Sequence, residues 1–301
     1  FAVPNQLIYT RRVVQPVAAT KLTGKISGTD VALLSAFDDR SYSTDGNRPM
    51  FNIVRVQRDL GSRSRIGMAY TDKVDGNSSN RVLDVDGRLV FRDLYSLQFQ
   101  AAGSRDERDG EVVSAPLWDA RLVRSGRAFG FNYRLGGISQ DFRTLSGFIS
   151  RPGLGRASAS HRYTIFGDRG AFVESFNTEL LTDGIWKYRG FLKGDDAIEK
   201  KLHLNTSASL RGGWSAGASV LIEQFSFDPD LYAGYKVERP ATVSTPMDTV
   251  PFTGTPRLGN LDWVINLGTP QLGFGSASLF LIWGRDENFY EWAPADVRIG
   301  T

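Results

Sequence analysis

Apolar and polar residues alternate with a period of two over much of the chain. Leu202, Leu204 and Leu210 alternate with polar side chains over residues 201–211, and the alternation resumes after Gly212-Gly213. Residues 83–91 and 95–104 follow the same pattern. Such runs predict long half-buried strands. Their length matches the roughly 9–11 residues of a tilted strand that crosses a bilayer.

The predicted connections alternate between short and long. Tight turns are expected at 28–29, 61–63, 92–93, 125–126, 152–153, 183–184 and 212–213, and longer polar links at 39–50, 74–80, 105–111, 136–141, 167–170, 194–199 and 228–256. Tight turns at one rim and longer loops at the other are typical of outer-membrane barrels. The sequence therefore predicts an all-β fold, a closed antiparallel transmembrane β-barrel of about 16–18 strands with periplasmic termini. The competing interpretation is a soluble β-sandwich, whose apolar faces would meet each other instead of lipid.

The domain organisation is expected to be simple. No shift of composition marks a linker, so residues 1–301 are predicted to form one domain. The irregular stretch 228–257 contains five prolines, which exclude a central strand. We expect this Pro-rich loop to form a lid or an inward-folded constriction. Aromatic side chains near the strand ends predict membrane-interface girdles, although β-propensity explains any single one of them as well.

Composition excludes several classes of function. The chain has no cysteine and only two histidines, which excludes thiolate chemistry and argues against a multi-histidine metal site. A net charge of +3 over the whole chain is too small to indicate nucleic-acid binding. The Asp-rich loops at 72–77, 106–110 and 228–230 fit turns better than calcium sites. We expect no metal, no cofactor and no nucleic-acid partner.

Three stretches carry a family resemblance. They are Arg11-Arg12 with residues 19–25, residues 54–61 with 64–67, and residues 132–134 with 141–143 and 147–151. Together they resemble an uncharacterised outer-membrane β-barrel family (domain of unknown function 5916) that follows a family-9-type carbohydrate-binding module. The resemblance implies a location in the bacterial outer membrane and supplies no catalytic residue. It also implies outer-membrane lipid, lipopolysaccharide and a soluble carbohydrate-binding-type module or partner protein as partners.

The polar faces of the predicted strands would point into the lumen. Their charged residues are Lys21, Lys25, Arg55, Arg65, Asp84, Asp86, Arg88, Asp119, Arg121, Arg134, Lys187, Arg189, Lys201, His203, Arg211 and Glu223. Basic residues predominate in this set, and a water-filled pore lined by them would favour anionic solutes. The alternative is a set of cross-strand ion pairs that hold a plug or fill a narrow interior.

Three functions follow from this interpretation. The first is a porin-like channel for small polar solutes, anionic or saccharide in nature. The second is a plugged barrel that anchors a soluble module or partner. The third and weakest is a rim-located hydrolase. Neither His161 nor His203 has a carboxylate at a spacing along its own strand that would orient it, so no catalytic residue is predicted.

Overall fold

The computed structural model describes residues 3–230, 232–239, 248–255, 257–288 and 293–300. Strands account for most of them: β1 Pro16–Ile26, β2 Thr29–Asp38, β3 Met50–Leu60, β4 Ser64–Asp75, β5 Ser78–Phe91, β6 Tyr95–Arg108, β7 Glu111–Ser125, β8 Phe129–Ile138, β9 Leu154–Phe166, β10 Val173–Lys187, β11 Glu199–Leu210, β12 Trp214–Phe225, β13 Lys236–Arg239, β14 Asp248–Pro251, β15 Leu258–Gly268, β16 Ser278–Asn288 and β17 Ala293–Gly300. A short helix, α1 (Tyr188–Lys193), follows β10, and single 3₁₀ turns lie at Thr10–Arg12 and Arg40–Tyr42. The all-β prediction is confirmed.

The prediction of a closed barrel is wrong. Fifteen strands form one sheet in sequence order from β1 to β12 and then from β15 to β17, and among the described residues β1 and β17 do not pair with each other. Periodicity reports which residues are extended and which face they share, but closure depends on pairing between the first and last strands, for which it carries no signal. Both end strands contain a proline, Pro16 and Pro294, which is typical of sheet edges. Lys21 and Lys25 add the charge that edge strands often carry.

Several hairpins are tighter than the sequence suggests. The links expected at 74–80 and 105–111 are reduced to the short turns between β4 and β5 and between β6 and β7. Asp109 and Gly110 have φ values of 52° and 83°, as both central residues of a type I′ turn require. The turn expected at Asp183-Gly184 is absent, because both residues lie inside β10.

The chain separates into two compact units. Unit 1 contains Phe1–Gly126, Phe131–Ala157 and Trp186–Asp196, and unit 2 contains Arg127–Gly130, Ser158–Ile185 and Ala197–Thr301. Each unit holds a set of paired strands with one mainly polar face and one mainly apolar face.

The polarity of the sheet in unit 1 is inverted relative to a water-soluble protein. Directly opposed residues share a face, and the row Leu22, Leu33, Val54, Tyr70 and Leu83 is apolar across five strands. Leu83 is 52% exposed, whereas its neighbour Asp84, on the other face, is 1% exposed. The apolar face is therefore exposed, and the polar face is buried at Asp84.

Two irregular segments cover part of the polar face of unit 1. Leu7 from the N-terminal segment and Phe142 from the β8–β9 connection are fully buried against Val82, Ala102 and Leu117. The only sizeable apolar cluster of the described residues therefore lies between the sheet and these segments, which we call the covering segments (residues 3–14 and 139–152).

Unit 2 repeats the inverted polarity. Leu261 and Trp263 are 43% and 44% exposed, whereas Asp262 between them is 4% exposed. Leu202 and Ile222 are cross-strand neighbours on the same exposed face. The pattern is thus a property of both units.

The Pro-rich loop contributes its own small hairpin. Strands β13 and β14 pair only with each other, outside the fifteen-stranded sheet. Phe227 is fully buried and meets Phe225 and Tyr232 at ring-centroid distances of 4.8 and 5.6 Å. Residues 231, 240–247 and 256 lie outside the described ranges, so a role as a lid stays a prediction.

Candidate functional site

The strand register brings most of the predicted lining residues onto the polar faces. In unit 1 these are Lys21, Lys25, Arg55, Arg65, Asp84, Asp86, Arg88, Asp119 and Arg121, and Arg134 reaches Asp119 from β8. In unit 2, Lys201, His203 and Glu223 share one face. The others lie at strand ends or beyond them: Lys187 closes β10, Arg189 is in α1 and Arg211 is in the β11–β12 turn.

A buried ion pair lies at the centre of the polar face of unit 1. Arg55 donates to both carboxylate oxygens of Asp86, from Nη2 to Oδ1 at 2.9 Å and from Nη1 to Oδ2. Its Nη2 also donates to Gln57 Oε1 at 3.2 Å. A Cβ on Gly67 would lie 2.7 Å from both terminal guanidinium nitrogens. Glycine at this position therefore makes room for the arginine to lie flat on the sheet.

Asp84 and Gln100 are incompletely satisfied. Neither carboxylate oxygen of Asp84 has a hydrogen-bond partner, and Gln100 Nε2 has none either. Gln100 Oε1 does accept a hydrogen bond of 2.8 Å from Asn5 Nδ2 of the N-terminal segment. A buried carboxyl without partners is costly, and the nearby Arg55 guanidinium offsets only part of that cost.

The covering segments are joined to the polar face by hydrogen bonds from backbone groups. Leu145 N donates to Asn80 Oδ1 at 2.8 Å, and Asn80 Nδ2 donates to the Arg143 carbonyl at 3.2 Å. Arg143 N donates to Ser104 Oγ at 3.3 Å. The polar side chains of β5 and β6 thus satisfy an irregular backbone that has no strand partners of its own.

The two covering segments also bond to each other. Tyr9 N donates to the Ser146 carbonyl at 2.8 Å, and Phe148 N donates to the Gln6 carbonyl at 2.7 Å. Sequence reasoning missed this arrangement, because Leu7 and Phe142 are single apolar residues in segments without periodicity. An isolated Leu or Phe in a polar segment is the only signal, and it does not indicate where the segment packs.

The N-terminal segment is also held at its junction with β1. Val14 N and Gln15 N donate to the two carboxylate oxygens of Asp38, at 2.9 and 2.6 Å. In the adjacent β2–β3 loop, a hydrogen bond from the Ser43 hydroxyl lowers the pKa of Asp45 below its ordinary value. The acidic groups at this end of unit 1 therefore act as acceptors for local turns.

The other half of the polar face of unit 1 is open. A cavity of about 440 Å³ there is lined by residues of the first four strands, among them Asp30, Arg55, Gln57 and Arg65. Arg65, Arg88 and Arg121 are exposed on this half, near the β3–β4, β5–β6 and β7–β8 turns. Unit 1 thus has a covered half and an open, basic half on one polar face.

In unit 2, Glu223 of β12 contacts two side chains of the paired strand β11. His203 Nε2 lies 2.6 Å from Glu223 Oε1, and Lys201 Nζ donates to Glu223 Oε2 at 2.9 Å. The spacing along β11 gives no sign of this contact, because the carboxylate lies on the paired strand β12. Glu223 is 20 residues away along the chain, so only the cross-strand register reveals the contact. His161 instead stacks on Phe129, with centroids 6.3 Å apart.

Two further features are absent from the described residues. No group of three or more metal-ligating side chains that could hold an ion is present among them, and none of their helices is long and apolar enough to span a membrane.

The fold and the site define a class, an all-β protein whose large sheet has an exposed apolar face and a partly covered polar face. Neither the protein-family models nor the curated proteins contain a match to this chain. The resemblance to the outer-membrane family therefore stays a prediction.

Proposed function

We propose that this chain is a membrane-embedded protein of the bacterial outer membrane, in which the apolar sheet face contacts lipid. The inverted polarity of the sheet carries the proposal. In water, each large apolar side chain left exposed forgoes about 1.5–3 kcal/mol of burial, and soluble monomers rarely expose large contiguous apolar patches. Contact with lipid removes that penalty for rows such as the one from Leu22 to Leu83.

The two edge strands of the sheet need hydrogen-bond partners if the sheet lies in a membrane. An unpaired backbone group costs several kcal/mol in hydrocarbon, so the outer edges of β1 and β17 need partners in the membrane. Lipid and lipopolysaccharide cannot donate and accept in a ladder, whereas a protein strand can. A partner protein is therefore part of the proposed assembly.

The covering segments favour an anchor or scaffold over a permanently open passage. They occupy half of the polar face of unit 1 with a buried apolar cluster and a set of direct hydrogen bonds. We therefore propose that the chain holds a soluble module or a partner protein at the membrane. The carbohydrate-binding type of that module rests on the sequence resemblance.

A second candidate function is passage of small anionic solutes. The open half of the polar face, with exposed Arg65, Arg88 and Arg121, favours it. Conductance in a planar bilayer separates the two functions. An anchor gives a folded protein without current steps, whereas a passage gives steps whose anion preference falls on charge removal at Arg88.

Lipid contact is tested by a charge placed on either face of β11. Leu204 lies on the exposed apolar face, and Ser207 lies on the polar face of the same strand. Leu204→Arg should reduce insertion into phosphatidylcholine vesicles, with a cost of about 2–4 kcal/mol near the bilayer centre. Ser207→Arg is the matched control and should insert like the unchanged chain. Flotation on a density gradient measures the inserted fraction, and equal insertion of both variants contradicts the proposal.

A further inference from the structure

Two arginines face each other on the open half of the polar face without an acidic partner. Arg65 in β4 and Arg88 in β5 are directly opposed in the register, and both side chains are exposed. Like charges at directly opposed positions destabilise an antiparallel pair. An arrangement that costs stability in the free protein needs another source of stabilisation.

The neighbouring carboxylates are already engaged by other cations. Asp59, opposite Arg65 on β3, lies 2.6 Å from Lys25 Nζ. Asp86, two residues before Arg88, accepts the bidentate bond from Arg55. No side-chain hydrogen bond or ion pair to Arg65 or Arg88 is present within the described ranges, so both guanidinium groups keep their donors available.

Asp119, in β7 two strands beyond Arg88, is engaged in the same way. It accepts a hydrogen bond of 2.8 Å from Arg134 Nε. None of these three carboxylates bonds directly to Arg65 or Arg88.

Neutral donors and a third arginine surround the pair. Gln98 lies directly opposite Arg88, and Arg121 lies directly opposite Gln98. Arg121 uses Nε to bond Asn132 Oδ1 at 2.8 Å, which orients its guanidinium and leaves the terminal nitrogens free. On the other side, Arg65 borders the open cavity of about 440 Å³. The surroundings are thus rich in N–H donors and have room for a solute.

We infer that Arg65 and Arg88 form a binding site for a tetrahedral oxyanion, a phosphate or phosphate monoester of a small water-soluble molecule. The planar fork of each guanidinium matches two oxygens of such a group. A dianion between the two forks replaces their repulsion by two attractive contacts. The arginines lie on the polar face, away from the exposed apolar rows, so a soluble phosphate is the source and a lipid headgroup is not. The choice of a soluble phosphate over a lipid headgroup rests on the proposed lipid contact, whereas the arginine pair as an oxyanion site does not.

The test uses the whole chain in detergent with inorganic phosphate as the probe. Phosphate should raise the thermal unfolding midpoint of the unchanged chain, and chloride at equal ionic strength should not. Arg65→Gln and Arg88→Gln should each weaken phosphate binding, measured by titration calorimetry, by about tenfold or more. Both side chains are exposed, so these variants should fold.

Arg63→Gln is the matched control. Arg63 lies in the adjacent turn, is exposed and pairs with Asp93, so its removal changes net charge equally without touching the pair. It should bind phosphate like the unchanged chain.

Three results would overturn the inference: no midpoint rise with phosphate, an equal loss in all three variants, or a response to short-chain phosphatidic acid alone. Because no bilayer is used, failure here leaves the membrane proposal standing, and failure of vesicle insertion leaves this site standing.

Discussion

Arg55 compensates buried negative charge on the polar face of unit 1. Its side chain is nearly inaccessible and bonds both oxygens of Asp86, while Asp84 lies beside it without a partner of its own. Removing one member of a buried pair leaves an uncompensated charge, which is far more costly than losing an exposed pair. A substitution in the buried pair should therefore lower the free energy of unfolding more than one in an exposed pair.

Arg55→Gln should lower the free energy of unfolding by about 3–5 kcal/mol. Arg63→Gln removes the same charge from an exposed pair and should cost about 0–1 kcal/mol. Denaturant titration in detergent measures both values. In the Arg55→Gln, Asp86→Asn double variant the loss should be smaller than the sum of the single losses, because neither charge is left alone. An Arg55→Gln value as small as that of Arg63→Gln would contradict the assignment.

At single positions, the sequence predicts the face but not the partner. Alternation correctly assigns Arg55, Asp84 and Asp86 to one face, because the side-chain period of a strand is fixed by its geometry. The contact of His203 with Glu223 depends on the register between β11 and β12, which no spacing along one strand reveals. Cross-strand chemistry therefore appears only with the structure.

The two covering segments pack with their backbones in close contact at Gly147. Gly147 lies where a Cβ would be 2.5 Å from the Leu7 carbonyl and 2.6 Å from the Gln6 carbonyl. Both neighbours are backbone atoms and cannot rotate away. Gly103 in β6 has no heavy atom within 4 Å of the same position. The two glycines thus provide a variant and its control.

Gly147→Ala should loosen the N-terminal segment from the β8–β9 connection, at a cost of about 1–3 kcal/mol. The amides of Tyr9 and Phe148, which join the two segments, should exchange hydrogen at least about tenfold faster. Gly103→Ala should leave these exchange rates unchanged. Mass spectrometry of peptides 3–14 and 139–152 measures them, and unchanged rates in Gly147→Ala would argue against the contact.

The strands themselves are largely predictable from the sequence, and the irregular elements are not. Ten-residue alternation defines β11 and β12 and the turn between them at Gly212-Gly213. The covering segments have neither a period nor a turn signature, since their apolar residues fill gaps in a surface built by other strands. Their position is set by tertiary packing, which the local sequence pattern does not report.

For the molecule as a whole, polarity is predictable and closure is not. The exposed apolar face and the polar face follow from alternation alone. Whether the first and last strands meet depends on twist, tilt and register accumulated over the whole sheet. The proline-containing strands β1 and β17 form the two edges of the sheet, and among the described residues they do not pair with each other.

Spin-label accessibility along β11 tests the claim that the apolar face meets lipid. The chain has no cysteine, so a single cysteine introduced at each position from 202 to 208 gives a unique label. In vesicles, labels at Leu202, Leu204, Thr206 and Ala208 should collide with lipid-soluble oxygen, and labels at His203, Asn205 and Ser207 should collide with a water-soluble nickel chelate. The two accessibilities should alternate with a period of two and opposite phase. Labels that all report water, or that show no alternation, would contradict the claim.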